Sequence, residues 1–212
     1  MMIGIIDYGM GNLGSVMNAF RFLGLDARII TGRREMDSCR SLILPGVGGF
    51  GDCMGHLEEH DFAGALKSWV EAGNPLMGIC LGLQALFESS EESPGVSGLG
   101  IFKGTVKKFD LPARLKVPQI GWNRIEEVRP DCPMFEGIEN NSFFYLVHSY
   151  YVCPEDEAIV AGRTDYGITY CSCIWKDNVF ATQFHPEKSQ TAGLRMLSNF
   201  AQGTNKIGTG PA

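Results

Sequence analysis

Between Ile3 and Ser89 short, unbroken apolar runs alternate with helical patterns, and few architectures accept that rhythm. The runs extend from Ile3 to Ile6, Ala27 to Ile30, Ser41 to Leu44 and Pro75 to Ile79. Helical periodicity fills the intervals from Asn12 to Leu23, Asp52 to Ala72 and Leu83 to Ser89. Strands that are apolar throughout belong in a parallel sheet covered by helices on both faces. The expected fold is therefore α/β, a doubly wound, mostly parallel open sheet. From about Gly98 the pattern becomes β-rich, with candidate strands beginning near Gly100, Ser142, Ala158, Ile168 and Val179 and a last helix from Ser189 to Phe200. No polar linker separates the halves, so these strands are read as an antiparallel extension of the same sheet. The 212 residues fit one domain, residues 1–202, with residues 203–212 expected to be a disordered tail because they lack an apolar period.

Charge narrows the function. Eighteen basic residues against 24 acidic ones leave a net charge of −6, which argues against a protein that binds nucleic acid through its phosphates. The seven cysteines are odd in number and irregularly spaced, and no secretory leader is expected before them. A reducing, cytoplasmic setting is the expectation. The longest apolar stretch, from Pro75 to Phe87, is too short to span a bilayer.

In an open parallel sheet reactive groups collect where strands end. Gly78-Ile-Cys80-Leu-Gly82 joins a buried run to a helical one, with the spacing of a nucleophile elbow and sulfur in place of oxygen. Flanking glycines leave room for a strained middle residue. The start of the following helix presents its positive end to a thiolate. An inert, buried cysteine is the commoner fate, and it is the reading for most of the other six.

Val179 to Phe184 ends in His185-Pro186-Glu187. A histidine there can serve as base for Cys80, and a carboxylate beyond the proline can fix its tautomer. The chain order cysteine, histidine, acid differs from that of α/β-hydrolases and papain-like proteases. The turn Pro45-Gly46-Val47-Gly48-Gly49 closes another strand. It can supply one oxyanion donor, assigned to the N–H of Val47, while the N–H of Leu81 supplies the other.

Other features carry less. Gly9-Met-Gly11-Asn-Leu-Gly14 mimics a dinucleotide fingerprint, but the second strand closes on Thr31-Gly32-Arg33 instead of an acid. His56 and His60 lack the glutamate that a zincin places beside its first histidine, so no metal is expected. Cys171 and Cys173 read as packing, and Glu88 to Glu92 as a solvated helix end.

Together these residues resemble the triad-type, class I glutamine amidotransferases, with their flavodoxin-like sheet, along the chain from Ile3 to Phe200. Asp7-Tyr-Gly-Met-Gly-Asn12, Pro45-Gly-Val-Gly48, Val117-Pro-Gln-Ile-Gly-Trp-Asn123 and Val147-His-Ser-Tyr150 narrow the likeness to the glutaminase subunits of imidazole glycerol phosphate synthases. The resemblance implies that Cys80 is the nucleophile, His185 the acid/base and Glu187 its orienting partner. It implies glutamine contacts at Gly46, Gly82, Gln84, Ser149 and Tyr150. It places Asn12, Tyr145 and Lys188 at a partner interface and ammonia gate. The implied partner is a (β/α)8 cyclase subunit, in a heterodimer, that uses the ammonia to turn the intermediate PRFAR into imidazole glycerol phosphate and AICAR for histidine biosynthesis. The substrate is L-glutamine; no cofactor, nucleic acid or membrane is implied. Family members often carry His where this chain has Gln119, and Ala where it has Gly49. Three alternatives stay open: an amidotransferase subunit for another acceptor, such as a modified sugar, pyridoxal phosphate or anthranilate; a cysteine hydrolase of the same fold; and a regulatory subunit with an inactive triad.

Overall fold

The structure is a computed structural model that describes residues 2–126 and 128–207, with side chains through residue 203. Its strands are β1 (Met2–Ile6), β2 (Ala27–Ile30), β3 (Cys39–Gly46), β4 (Leu76–Cys80), β5 (Ser89–Ser90), β6 (Gly104–Lys108), β7 (Gln119–Arg124), β8 (Phe143–His148), β9 (Tyr150–Pro154), β10 (Val160–Asp165), β11 (Thr169–Lys176) and β12 (Val179–Thr182). The helices are α1 (Leu13–Phe22), α2 (Phe50–Glu59), α3 (Phe62–Glu71), α4 (Leu81–Ala85) and α5 (Gln190–Ile207). The main sheet runs β2-β1-β3-β4-β12-β11-β9-β6-β5, and β10 also pairs with β11. Neighbours from β2 through β12 are parallel, whereas β12–β11, β11–β9 and β9–β6 are antiparallel.

Alternation along the parallel strands divides the core in two. Leu42, Leu44 and Leu76 point to a layer built with Phe50 and Leu57 of α2, Phe62 and Leu66 of α3, and Leu83 of α4. Ile43, Met77 and Ile79 point the other way, to Val16 and Phe20 of α1 and Met196, Leu197 and Phe200 of α5. Both faces are buried, and so these strands read as continuous apolar runs.

Three details differ from the sequence expectation. The segment from Asp52 to Ala72 is two helices, because Asp61 adopts a left-handed backbone (φ 59°) at the N-cap of α3. The segment near Ser142 forms β8, which leaves the main sheet and pairs with β7 in a separate antiparallel ribbon. The last helix continues past Phe200 and Gly203 to Ile207; extending a formed helix adds one hydrogen bond per residue, and no proline intervenes. The remainder of the expected tail, residues 208–212, lies outside the described residues. Among the described residues no helix is long and apolar enough to cross a membrane.

Candidate active site

Strands β3, β4 and β12 lie side by side, so their carboxyl ends meet. Gly46 is the register partner of Cys80, and Thr182 that of Ile79. Cys80 ends β4 and caps α4 with φ 56° and ψ −109°, a backbone that side chains rarely adopt. Strain of this kind is held only where the surroundings enforce it. Here glycines do so: a Cβ on Gly82 would lie 1.9 Å from the Leu44 carbonyl oxygen, and one on Gly78 would lie 2.8 Å from the Gly82 carbonyl oxygen. The elbow is packed against β3 as tightly as bare backbone permits.

His185 follows β12 on the Pro186–Lys188 3-10 turn, which brings Glu187 back beneath the ring. Its Nδ1 lies 2.8 Å from Glu187 Oε1, and both side chains are almost wholly buried. Nδ1 therefore carries the proton donated to the carboxylate, leaving Nε2 for Cys80. Burial lowers the His185 pKa, but the nearby Cys80 sulfur and Glu187 carboxylate, both favouring the charged ring, outweigh it and push the pKa up to about 10. Nε2 is buried without a partner of hydrogen-bond geometry, consistent with a ring poised for a substrate atom. Burial pushes the Cys53 and Cys132 thiols up to about 11 and the Cys171 thiol up to about 12.

A cavity of about 330 Å³ opens beside the sulfur. Its wall includes Val47, Cys80, Leu81, Gln84, Ser149, Tyr150 and His185, all expected, together with Gly48, Glu92, Pro118, Val147 and His148. Gly46 and Gly82, expected to contact substrate, lie behind the wall: a Cβ on Gly46 would sit 2.8 Å from the Leu81 Cβ and 3.0 Å from the Gly82 nitrogen. Their absent side chains let the Pro45–Gly48 turn and the elbow touch.

Gln183, His148 and Glu92 escaped sequence reasoning. Gln183 is fully buried and aims Nε2 at the Cys80 sulfur, 3.7 Å away. Gln84 Nε2 donates both to Gln183 Oε1 at 3.0 Å and to the Tyr150 carbonyl at 3.1 Å, linking sulfur to cavity wall. His148 donates Nδ1–H to the same carbonyl at 2.8 Å, and burial lowers its pKa to about 4, so the ring is neutral. Glu88 to Glu92 is no solvated helix end. The Glu92 carboxylate accepts the Phe50 N–H at 2.8 Å, Glu88 that of Gly104 at 3.0 Å and Glu91 that of Lys108 at 2.8 Å. A polar residue inside an apolar strand end, as at Gln183, was the available signal.

The Glutamine amidotransferase class-I family model matches residues 4–203. The chain belongs to this family. Subunit HisH of imidazole glycerol phosphate synthase from Syntrophotalea carbinolica is 50% identical over 204 residues, 94% of this chain and 98% of that one. The protein of the same name from Methanocaldococcus jannaschii is 51% identical over 203 residues, 95% of this chain and 99% of that one. Among solved structures, a glutamine amidotransferase superposes with a TM-score of 0.74 at 21% identity, covering 97% of this chain and 100% of the other. A chain of PurLQS from Thermotoga maritima gives 0.76 at 18% identity, covering 95% and 98%. These likenesses agree with the fold.

The residues this amidotransferase was expected to turn toward a partner lie around the same end of the sheet. The Tyr145 carbonyl accepts the His185 N–H at 2.9 Å, and its ring lies 6.5 Å from the imidazole and 6.1 Å from Trp122. Lys188 closes the His185 turn, against which α1 packs. Asn12 caps α1, its side chain accepting the Ser15 N–H at 3.2 Å. Period two places Ile120, Trp122, Phe143, Tyr145 and Val147 on one face of the β7–β8 ribbon. Ile120 and Phe143 are 64% and 49% exposed there, while Val147 reaches the cavity. His56, Glu59 and His60 offer ligand atoms within 4.8 Å of one another at the end of α2, where His60 is the C-cap and engages the His56 carbonyl through Nδ1 at 2.9 Å.

Proposed function

We propose that this amidotransferase is the glutaminase subunit of an imidazole glycerol phosphate synthase, hydrolysing L-glutamine to L-glutamate and passing the ammonia to a cyclase subunit. That subunit makes imidazole glycerol phosphate and AICAR from PRFAR in histidine biosynthesis, in the cytoplasm. The observation that carries the reading is the convergence of a strained Cys80 and of His185, backed by Glu187, on one cavity, in a chain about half identical to HisH proteins along nearly their whole length.

The chemistry follows from the geometry. Cys80, as thiolate, attacks the side-chain amide carbon of glutamine, and the carbonyl becomes an oxyanion met by the N–H groups of Leu81 and Val47. His185 protonates the amide nitrogen, the C–N bond breaks and ammonia leaves a γ-glutamyl thioester. Water then gives a proton to His185 and attacks the thioester; the thiolate departs and glutamate is released. Gln183 donates a hydrogen bond to the sulfur whenever it is anionic. Glu92, the carboxylate on the cavity wall, is placed to meet the ammonium group of the amino acid, with Ser149 and Tyr150 bounding the other side.

Ammonia released into water is protonated and diluted, so a partner that receives it directly is a chemical requirement. The exposed apolar face of the β7–β8 ribbon, continuous through Tyr145 with the His185 ring, supports a cyclase docked there. The Pro45–Gly48 turn supports coupling between the two: Val47 is 41% exposed, and Gly48 has φ 101°. In the free subunit the Val47 N–H points away from the oxyanion position, and it turns in when the cyclase binds its ligand.

The test is glutamine hydrolysis with and without an imidazole glycerol phosphate synthase cyclase subunit and its nucleotide ligand, repeated with Cys80→Ala. Hydrolysis stimulated by the liganded cyclase and abolished in the variant is expected. A free subunit as fast as the complex would sink the switching turn, and peptide or ester hydrolysis without any partner would favour the cysteine hydrolase.

A further inference from the structure

The oxyanion turn is short and clamped at both ends. Downstream, the Phe50 N–H is held by Glu92 at 2.8 Å and the Gly51 N–H by Ser93 Oγ at 3.0 Å. Upstream, the Tyr8 hydroxyl donates to the Pro45 carbonyl at 2.9 Å and accepts from the Cys53 thiol at 3.4 Å. Tyr8 is wholly buried, so this bond has no water to replace it. Its hydroxyl also blocks the space a Cβ on Gly46 would fill, 2.8 Å away.

Between the clamps lie Gly46, Val47, Gly48 and Gly49, three glycines and an exposed valine. A fixed Pro45 carbonyl immobilises the peptide that ends at the Gly46 nitrogen. Rotation is thereby restricted to the peptides joining Gly46 to Gly49, among them the one that carries the Val47 N–H, the assigned oxyanion donor. Tyr8 does not act alone, since its whole loop grips the turn. A Cβ on Gly48 would meet the Met10 methyl at 2.7 Å, and one on Gly11 would meet the Pro45 ring at 3.3 Å. The loop itself is shaped by Asp7, whose carboxylate accepts the Gly9 N–H at 3.0 Å, and it ends at Asn12, the cap of α1.

We propose that Tyr8 is a positioning residue for the oxyanion donor: its hydroxyl anchors the Pro45 carbonyl, confines the movement of the turn to the peptides from Gly46 to Gly49, and transmits the placement of the Asp7–Asn12 loop to the site. This rests on the glutaminase reading, which it deepens by naming the fixed end of the moving part.

The experiment uses the full chain bound to its cyclase, comparing wild type with Tyr8→Phe. The expected result is a kcat for glutamine hydrolysis lower by about ten-fold, the scale of a misplaced reacting group, at an unchanged KM. Alkylation of Cys80 by iodoacetamide, followed by peptide mapping, needs the nucleophile but no oxyanion donor, and should proceed at the wild-type rate. An unchanged kcat overturns the proposal. A parallel loss of hydrolysis and alkylation also overturns it, because the substitution has then disturbed the elbow as a whole. If wild type hydrolyses no glutamine, the functional reading falls separately, and amide exchange decides on Tyr8. Exchange at Gly46 should be slower than at Val47 and Gly48 in wild type and faster in Tyr8→Phe; equal rates in wild type overturn the anchor, and this arm stands even if the variant fails to fold.

Discussion

Gly46 faces Cys80 directly across the β3–β4 pairing, so the turn proposed to stabilise negative charge begins level with the sulfur proposed to create it. Neither part can be displaced without the other, because Gly82 presses its own backbone against the carbonyl of Leu44 in the same strand.

That packing sets the first prediction. Gly82→Ala places a methyl group 1.9 Å from the Leu44 oxygen, against backbone that cannot rotate away. Urea unfolding should show a loss of about 3 kcal/mol, at the upper end for overpacking. Gly55→Ala, on α2 with nothing within 4 Å of the added atom, should instead gain about 1 kcal/mol from helix propensity. Equal effects at the two positions would contradict the close approach.

Gln183 provides a second test. Gln183→Met keeps the volume and removes the donor 3.7 Å from the sulfur, along with the acceptor used by Gln84. Alkylation of Cys80 and the kcat for glutamine should both fall, by about ten-fold for one hydrogen bond to a charged group. Alkylation at the wild-type rate would show that the amide does not support the thiolate.

The third concerns alkaline pH. The raised His185 pKa means that the protonated ring contributes stability fully below its unfolded value near 6.5 and loses it as pH rises through about 10. Glutamine hydrolysis, which needs that proton for the leaving nitrogen, should decline on the same limb. Glu187→Gln removes one of the groups that raise the pKa, and the limb should move to lower pH. A stationary limb in the pH–rate profile would mean that Glu187 does not hold the charged ring.

His148 works in the opposite sense. Its pKa is lowered by burial to about 4, so its neutral ring contributes stability above the unfolded value near 6.5 that is lost as pH falls through 4. Over that window the contribution is about 3 kcal/mol. His148→Asn should be less stable at pH 8, and its urea midpoint should change less than that of wild type between pH 7 and 4.5.

The parts of the site legible in sequence were those enforced by local backbone. Cys80 stood out because only glycines fit on either side of an elbow, and His185 and Glu187 because a proline holds them two residues apart. Parts that depend on distant contacts were silent. Gln183 looks like any polar residue near a strand end until β12 is laid beside β4. Glu92 was absorbed into a run of acids, although each carboxylate caps a different backbone N–H. The α2–α3 break is a single left-handed residue, Asp61, within an unbroken apolar period. The β7 strand, with Gly121 inside it and Pro118 before it, has the composition of a loop and is a strand only because β8 pairs with it.

The backbone of Cys80 carries one further implication. Its dihedral angles suit glycine, so Cys80→Gly should abolish hydrolysis and yet relieve about 1–3 kcal/mol of strain. The inert protein would then melt at a higher temperature than the working one. At this position durability and chemistry pull apart, and a lineage released from the need for glutamine would drift toward the sturdier, silent form.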